Sequence, residues 1–239
     1  MQFPPGILMS KRYKTILFVR SVGYLIFFSG ILSFIFVLGP VISAEVSYRV
    51  DRVFGVKRQI STSFLSQKAG ATGDQQNGQV SFGSLTPQEN SIIPVSTEYG
   101  IVIEKINANA KVIAGVNPSI EREYTRALAQ GVAEASSSTP PGQPGNLYLF
   151  SHSTDAPWNI IRYNAIFYLL KELEAGDRVI IFYHNIRYDY IVFDKNIVSP
   201  GDISYLTNRY DSPVLTLQTC DPPGTLINRL IVRARLVSS

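Results

Sequence analysis

Three side chains in this sequence could together carry out acyl transfer: the thiol of Cys220, the imidazole of His152 and the guanidinium of Arg229. A thiolate attacks carbonyl carbon, an imidazole gives and takes a proton near neutral pH, and a guanidinium offers a fork of donors to an oxyanion. Cys220 is the only cysteine in 239 residues, so no internal disulfide can consume it. It closes the run Thr216-Leu217-Gln218-Thr219-Cys220, at the end of a β-like stretch from Pro213 to Thr219. The turn-prone Asp221-Pro222-Pro223-Gly224-Thr225 follows and puts the thiol at a strand end beside a loop. His152 ends another apolar run, Gly145-Asn146-Leu147-Tyr148-Leu149-Phe150-Ser151, and Arg229 opens a third. Each has a structural alternative: an inert core cysteine, a surface histidine, a solvated strand arginine. The second histidine, His184, falls in a predicted hairpin turn, His184-Asn185-Ile186-Arg187, and reads as structural.

These groups need strands to position them. β-like segments recur at 100–106, 112–114, 146–151, 178–183, 188–193, 214–219 and 229–237. Some are continuous apolar runs; others alternate, as in Leu230, Val232, Ala234 and Leu236. Two helices are expected. One follows Ser119 as N-cap and stops near Gly131; the other spans roughly Arg162–Glu174, with Ile166, Leu169, Leu170 and Leu173 on one face. Many strands and few helices predict a mainly β domain, a small barrel or sandwich, over residues 95–239.

Residues 22–43 contain no charge. Twenty-two residues at 1.5 Å each give roughly 33 Å, enough to cross a bilayer core and longer than a signal-peptide apolar region. A transmembrane signal-anchor is therefore expected over 22–43, after a cytoplasmic N-terminus of residues 1–21. Lys11, Arg12, Lys14 and Arg20 precede it and Arg49, Arg52, Lys57 and Arg58 follow, so the basic residues alone do not orient it. A short basic N-terminus before a long C-terminal domain favours an extracytoplasmic domain. Residues 44–94 read as a flexible tether, rich in Ser, Thr, Gly, Gln and Asn from Gln59 onward. The net charge of +4 is scattered, which excludes a nucleic-acid-binding stripe.

Thr216-Leu217-Gln218-Thr219-Cys220 followed by the strand-borne Arg229 resembles the nucleophile strand of sortases, cysteine transpeptidases of bacterial cell surfaces. Pro141-Gly142-Gln143-Pro144-Gly145-Asn146 before Ser151-His152 resembles the family's lead into its catalytic histidine. Ala127-Leu128-Ala129-Gln130-Gly131-Val132 and Gly176-Asp177 are similar to two further stretches of the family. The likeness covers about residues 97 to 237.

It implies a closed eight-stranded barrel with two or so short helices. It implies that Cys220 attacks the threonine carbonyl of a Leu-Pro-x-Thr-Gly-like sorting signal and that His152 shuttles the proton, with Arg229 as the third member, either stabilising the oxyanion or holding the substrate carbonyl. Thr219 would help hold the substrate. The implied partners are proteins bearing that signal, an amine of the cell envelope and the membrane around the N-terminal helix. No cofactor is implied, and no acidic cluster suggests the calcium site of some members. Ser151 stands where many members have Gly. No hydrophobic segment follows the domain, the tether lacks an Asp-Pro-aromatic lid, and the loop from Asp221 to Asn228 is short. These departures point to a housekeeping enzyme of class D or E type rather than a pilus-building one. The alternatives are a non-catalytic module that binds peptide or glycan, and a hydrolase that releases peptide to water.

Overall fold

The computed structural model describes residues 11–56, 58–60, 91–153 and 166–238. Eight strands close a barrel: β3 (Tyr99–Ile103), β4 (Ala108–Val116), β5 (Val132–Ala135), β6 (Gly145–Phe150), β7 (Arg178–Tyr183), β8 (Ile186–Val198), β9 (Pro213–Asp221) and β10 (Asn228–Ser238). Their order around the barrel is β10-β8-β7-β3-β4-β5-β6-β9. The mainly β, eight-stranded expectation holds.

The barrel closes because its strands are apolar where they face inward. Ile101, Ile103, Leu147, Leu149, Val179, Ile181, Leu215, Leu217, Val232 and Ala234 form one core with almost no exposure. At about 25 cal/mol per Å² of apolar surface buried, such side chains are the main stabilising contribution of the barrel. The outer faces are covered unevenly. Tyr148 and Phe150 of β6 pack with Leu128 of helix α2 (Glu121–Leu128) and with Tyr205 of the short helix α3 (Ser204–Thr207). On the other side, Val102, Ile180 and Phe182 lie under Ile60 and Ile92. Those two belong to β1 (Gln59–Ile60) and β2 (Ser91–Ile92), a parallel pair separate from the barrel.

β7 and β8 form the expected hairpin. His184 and Asn185, between Tyr183 and Ile186, both have positive φ, 48° and 64°. This is the backbone a two-residue hairpin loop demands. Both helix expectations change in detail. Ser119 does not cap α2; Ile120 occupies the cap position with no side-chain bond. Asn117 instead accepts from Ser119 N–H, and Glu123 reaches back to Asn117 N–H. Of the second expected helix, 162–165 lies outside the described residues, and within 166–174 only Tyr168–Glu172 is helical, as a 3₁₀ turn. Leu169, Leu170 and Leu173 still enter the core, so burial was legible where the helix type was not.

Helix α1 runs Lys11–Val53, and its stretch Tyr13–Ile35 is long and apolar enough to cross a membrane. The exposed Phe18, Leu25, Phe27, Phe28 and Leu32 fit a lipid solvent. The helix continues past residue 43 to Val53. Tyr48 packs against the barrel core and Glu45 stands 4.0 Å from Lys171. Most of the expected tether, residues 61–90, lies outside the described residues.

Candidate active site

The lead into β6 explains its two glycines. Gly142, at φ +83°, passes so close to Tyr188 that a Cβ would lie 2.5 Å from the ring, and its N–H donates to Tyr190 Oη at 3.1 Å. Gly145, at φ +128°, leaves no room between its backbone and Thr139. A side chain at either position would push the start of β6 off the barrel.

From there the register does the placing. β6 and β9 run parallel, with Tyr148 beside Thr216 and Phe150 beside Gln218. Ser151 N–H continues the ladder, donating to Gln218 O at 3.1 Å. His152 and Cys220 each lie two residues beyond the Phe150–Gln218 pair, at the same end of adjacent strands. On the opposite edge of β9, Arg229 is the direct cross-strand partner of Cys220. Cys220 on β9 and Arg229 on β10 are thus direct neighbours, and His152 follows the end of β6 on the other side of β9. Adjacent strands lie about 4.8 Å apart.

All three residues are half-buried. Side chains alternate along β9: Leu215 and Leu217 point into the core, and Thr216, Gln218 and Cys220 point to the outer face. The thiol thus lies on the outside of the barrel at its rim. Thr219 has the opposite parity. It is 3% exposed, and its Oγ1 donates to Ser151 O at 2.9 Å. That bond ties β9 to the residue before His152.

Arg229 differs from the other arginines of β10. Arg233 pairs with Asp194, with Nε 2.8 Å from Oδ2, and donates to Tyr210 Oη at 3.2 Å. Arg235 stacks over Phe193 at 4.5 Å. Among the described residues no carboxylate pairs with Arg229; its Nη1 donates to its neighbour's carbonyl, Asn228 O, at 3.2 Å. Tyr148 lies close enough to register this charge. Burial pushes its phenol above the usual range, Arg229 pulls it down and Asp202 pushes it up. Its hydroxyl donates to Gln218 Oε1. Sequence reasoning missed Tyr148, Gln218 and Asp202 around the site. Gln218 carried one available signal, a polar side chain inside the quoted Cys motif.

His184 lies elsewhere, in the β7–β8 hairpin, with Nδ1 2.7 Å from Glu98 Oε1. Among the described residues no cluster of His, Cys, Asp or Glu could hold a metal ion. Twelve residues after Ser153, 154–165, lie outside those described.

Solved structures with this barrel include sortase C-1 from Actinomyces oris, at 24% identity and TM-score 0.51, covering 61% of this chain and 76% of that one. The pilus-related sortase C of Group B Streptococcus is similar at 25% identity and TM-score 0.50, covering 60% and 69%. A Clostridium perfringens sortase D5 transpeptidase aligns at 24% identity and TM-score 0.48, covering 59% and 78%. No curated protein sequence matches the chain. The sortase domain model matches residues 101–237, more than half of the chain, and the chain belongs to the sortase family of cysteine transpeptidases.

Proposed function

We propose that this protein is a membrane-anchored transpeptidase with its barrel outside the cell, and that it cuts a C-terminal sorting signal between Thr and Gly. The observation that supports this most is the pairing of Cys220 with Arg229 across one ladder, with His152 two residues past the end of the neighbouring strand β6. Cys220 Sγ, as thiolate, adds to the threonine carbonyl carbon. The oxygen takes the negative charge, and Arg229 stabilises it. The C–N bond to Gly then breaks, the glycine nitrogen leaves with a proton from His152, and a thioester remains on Cys220. An amine of the cell envelope adds to the thioester carbon and gives its proton to His152. The thiolate departs and a new amide links protein to envelope. Thr219 serves these steps from behind the site, by holding Ser151 against β9.

The test uses the full chain in detergent micelles, a Leu-Pro-x-Thr-Gly peptide and product analysis with and without an added amine. The expected products are a free Gly-bearing fragment and a Thr-amine conjugate. Release to water alone, even with amine present, would make the protein a hydrolase. No cleavage together with an unreactive thiol would make it a binding module.

A further inference from the structure

A second set of buried polar groups lies on the outer face of β6 and β9, and acyl transfer does not use it. Thr216 Oγ1 donates to Asn146 Oδ1 at 2.7 Å, and neither residue is more than 1% exposed. Asn146 Nδ2 donates in turn to the backbone carbonyl of Tyr205 at 2.8 Å. Tyr205 belongs to α3, within the crossover 199–212 that joins β8 to β9.

The far end of the crossover is tied to the barrel by Arg233, which donates to Tyr210 Oη, and by Gly145 N–H, which donates to Ser212 O; around α3 the polar groups bond largely among themselves. Asp202 Oδ1 accepts from Ser204 N–H, and Thr207 Oγ1 donates to Ile203 O. Four residues of helix cannot hold their own position, so α3 sits where its attachments put it. One attachment is apolar and cationic: Tyr205 packs with the cluster of Tyr148 and Phe150, and Arg233 lies 5.3 Å from its ring. The other is the Asn146 carboxamide. A carboxamide accepts from Thr216 through its oxygen while its nitrogen donates to a carbonyl, and a buried amide left half-satisfied is costly.

The crossover borders the reactive row. Tyr205 packs with Tyr148, whose hydroxyl donates to Gln218 Oε1, two residues before Cys220. Thr216 precedes Cys220 by four residues on the same face, roughly 13 Å along the strand. A peptide extended along β9 from Cys220 toward Thr216 therefore meets the crossover within about four residues.

We infer that Asn146, oriented by Thr216, is a positioning residue that pins the 199–212 crossover to the sheet and so shapes the face on which substrate lies beside Cys220. The link to substrate rests on the reading of that row as the active site; the pin itself does not.

The test compares Thr216→Val, Thr216→Ser and Asn146→Asp in the full chain in detergent micelles. Amide hydrogen exchange is read over 203–208, where Leu206, Thr207 and Asn208 N–H groups bond within α3. KM and kcat are measured with the sorting-signal peptide, and alkylation of Cys220 reports the nucleophile separately. Losing the pin should speed exchange over 203–208 by about tenfold, the effect of one net hydrogen bond. KM should rise severalfold while kcat and the alkylation rate stay within about twofold. Thr216→Ser, which keeps the hydroxyl, should behave as wild type. Val fills the volume of Thr, so Thr216→Val carries the test if Asn146→Asp fails to fold. Unchanged exchange in Thr216→Val overturns the pin; faster exchange with unchanged KM overturns its role in substrate binding. If the wild type turns over no peptide, the active-site reading falls and exchange alone decides on the pin.

Discussion

The hydroxyl of Thr219 donates to the backbone carbonyl of Ser151 at 2.9 Å, across 68 residues of sequence and from β9 to the residue that follows β6. It is a buried bond at the rim of the barrel, between the residue before the cysteine and the residue before the histidine. A single hydroxyl thus helps fix the spacing of the segments that carry Cys220 and His152.

Thr219→Val keeps the shape and removes the donor. The Ser151 carbonyl then loses its side-chain partner, at a cost of about 1–2 kcal/mol. Thermal unfolding should show that loss. Turnover should fall further than stability explains, because proton transfer is sensitive to displacements of a fraction of an ångström. Thr219→Ser should recover both. A Thr219→Val enzyme of wild-type turnover would free Thr219 of this role.

Arg229 has no carboxylate partner among the described residues, whereas Arg233 on the same strand is held by Asp194. Arg229→Ala should lower kcat/KM by about 10²-fold or more, the usual loss for one oxyanion donor. Arg229→Lys keeps the charge but not the fork and should recover only part of it. Full recovery by lysine would mean that charge alone matters.

His184 provides the control. Its contact with Glu98 is exposed on both sides, with side chains 62% and 68% accessible. Exposed pairs contribute about 0–1 kcal/mol. His184→Ala should leave peptide turnover unchanged and move the melting temperature little. A large loss of turnover would put the chemistry of the wrong histidine in the account.

Much of this arrangement was legible before the fold. Cys220, His152 and Arg229 each sit at a strand end beside loop-forming residues, and parallel or antiparallel neighbours bring such ends together. The hairpin at His184-Asn185 was legible from its short polar break. β5 was not. Val132-Ala133-Glu134-Ala135 has little β-propensity of its own, and it is a strand because β4 and β6 flank it with open hydrogen-bonding edges. The 3₁₀ turn at Tyr168–Glu172 carries the leucine spacing of a helix, but the barrel needs only its three buried leucines. The bond from Thr219 to Ser151 had no local signature, because the partner of a buried hydroxyl is chosen by the tertiary register.

Glu134 of β5 gives a pH test of the fold. Burial raises its pKa above the ordinary 4.5, and the nearby Tyr99 hydroxyl and Gly115 backbone N–H pull it down less. A carboxyl with a raised folded pKa binds more protons folded than unfolded over that window. Its contribution to stability therefore falls as pH rises from about 4.5 through the folded pKa. Glu134→Gln removes the titration. The melting temperature of Glu134→Gln relative to wild type should increase between pH 4 and pH 7. A constant difference across that range would show that Glu134 titrates normally.

The most direct measurement is the intact mass of the full chain during reaction with a Leu-Pro-x-Thr-Gly peptide, without added amine, followed by digestion to locate the adduct. The account predicts a mass increase equal to the peptide up to its threonine, held as a thioester on Cys220 and released by hydroxylamine. It predicts no adduct and no cleavage in Cys220→Ala. Cleavage that persists without the thiol, or an acyl group found on another residue, would contradict it.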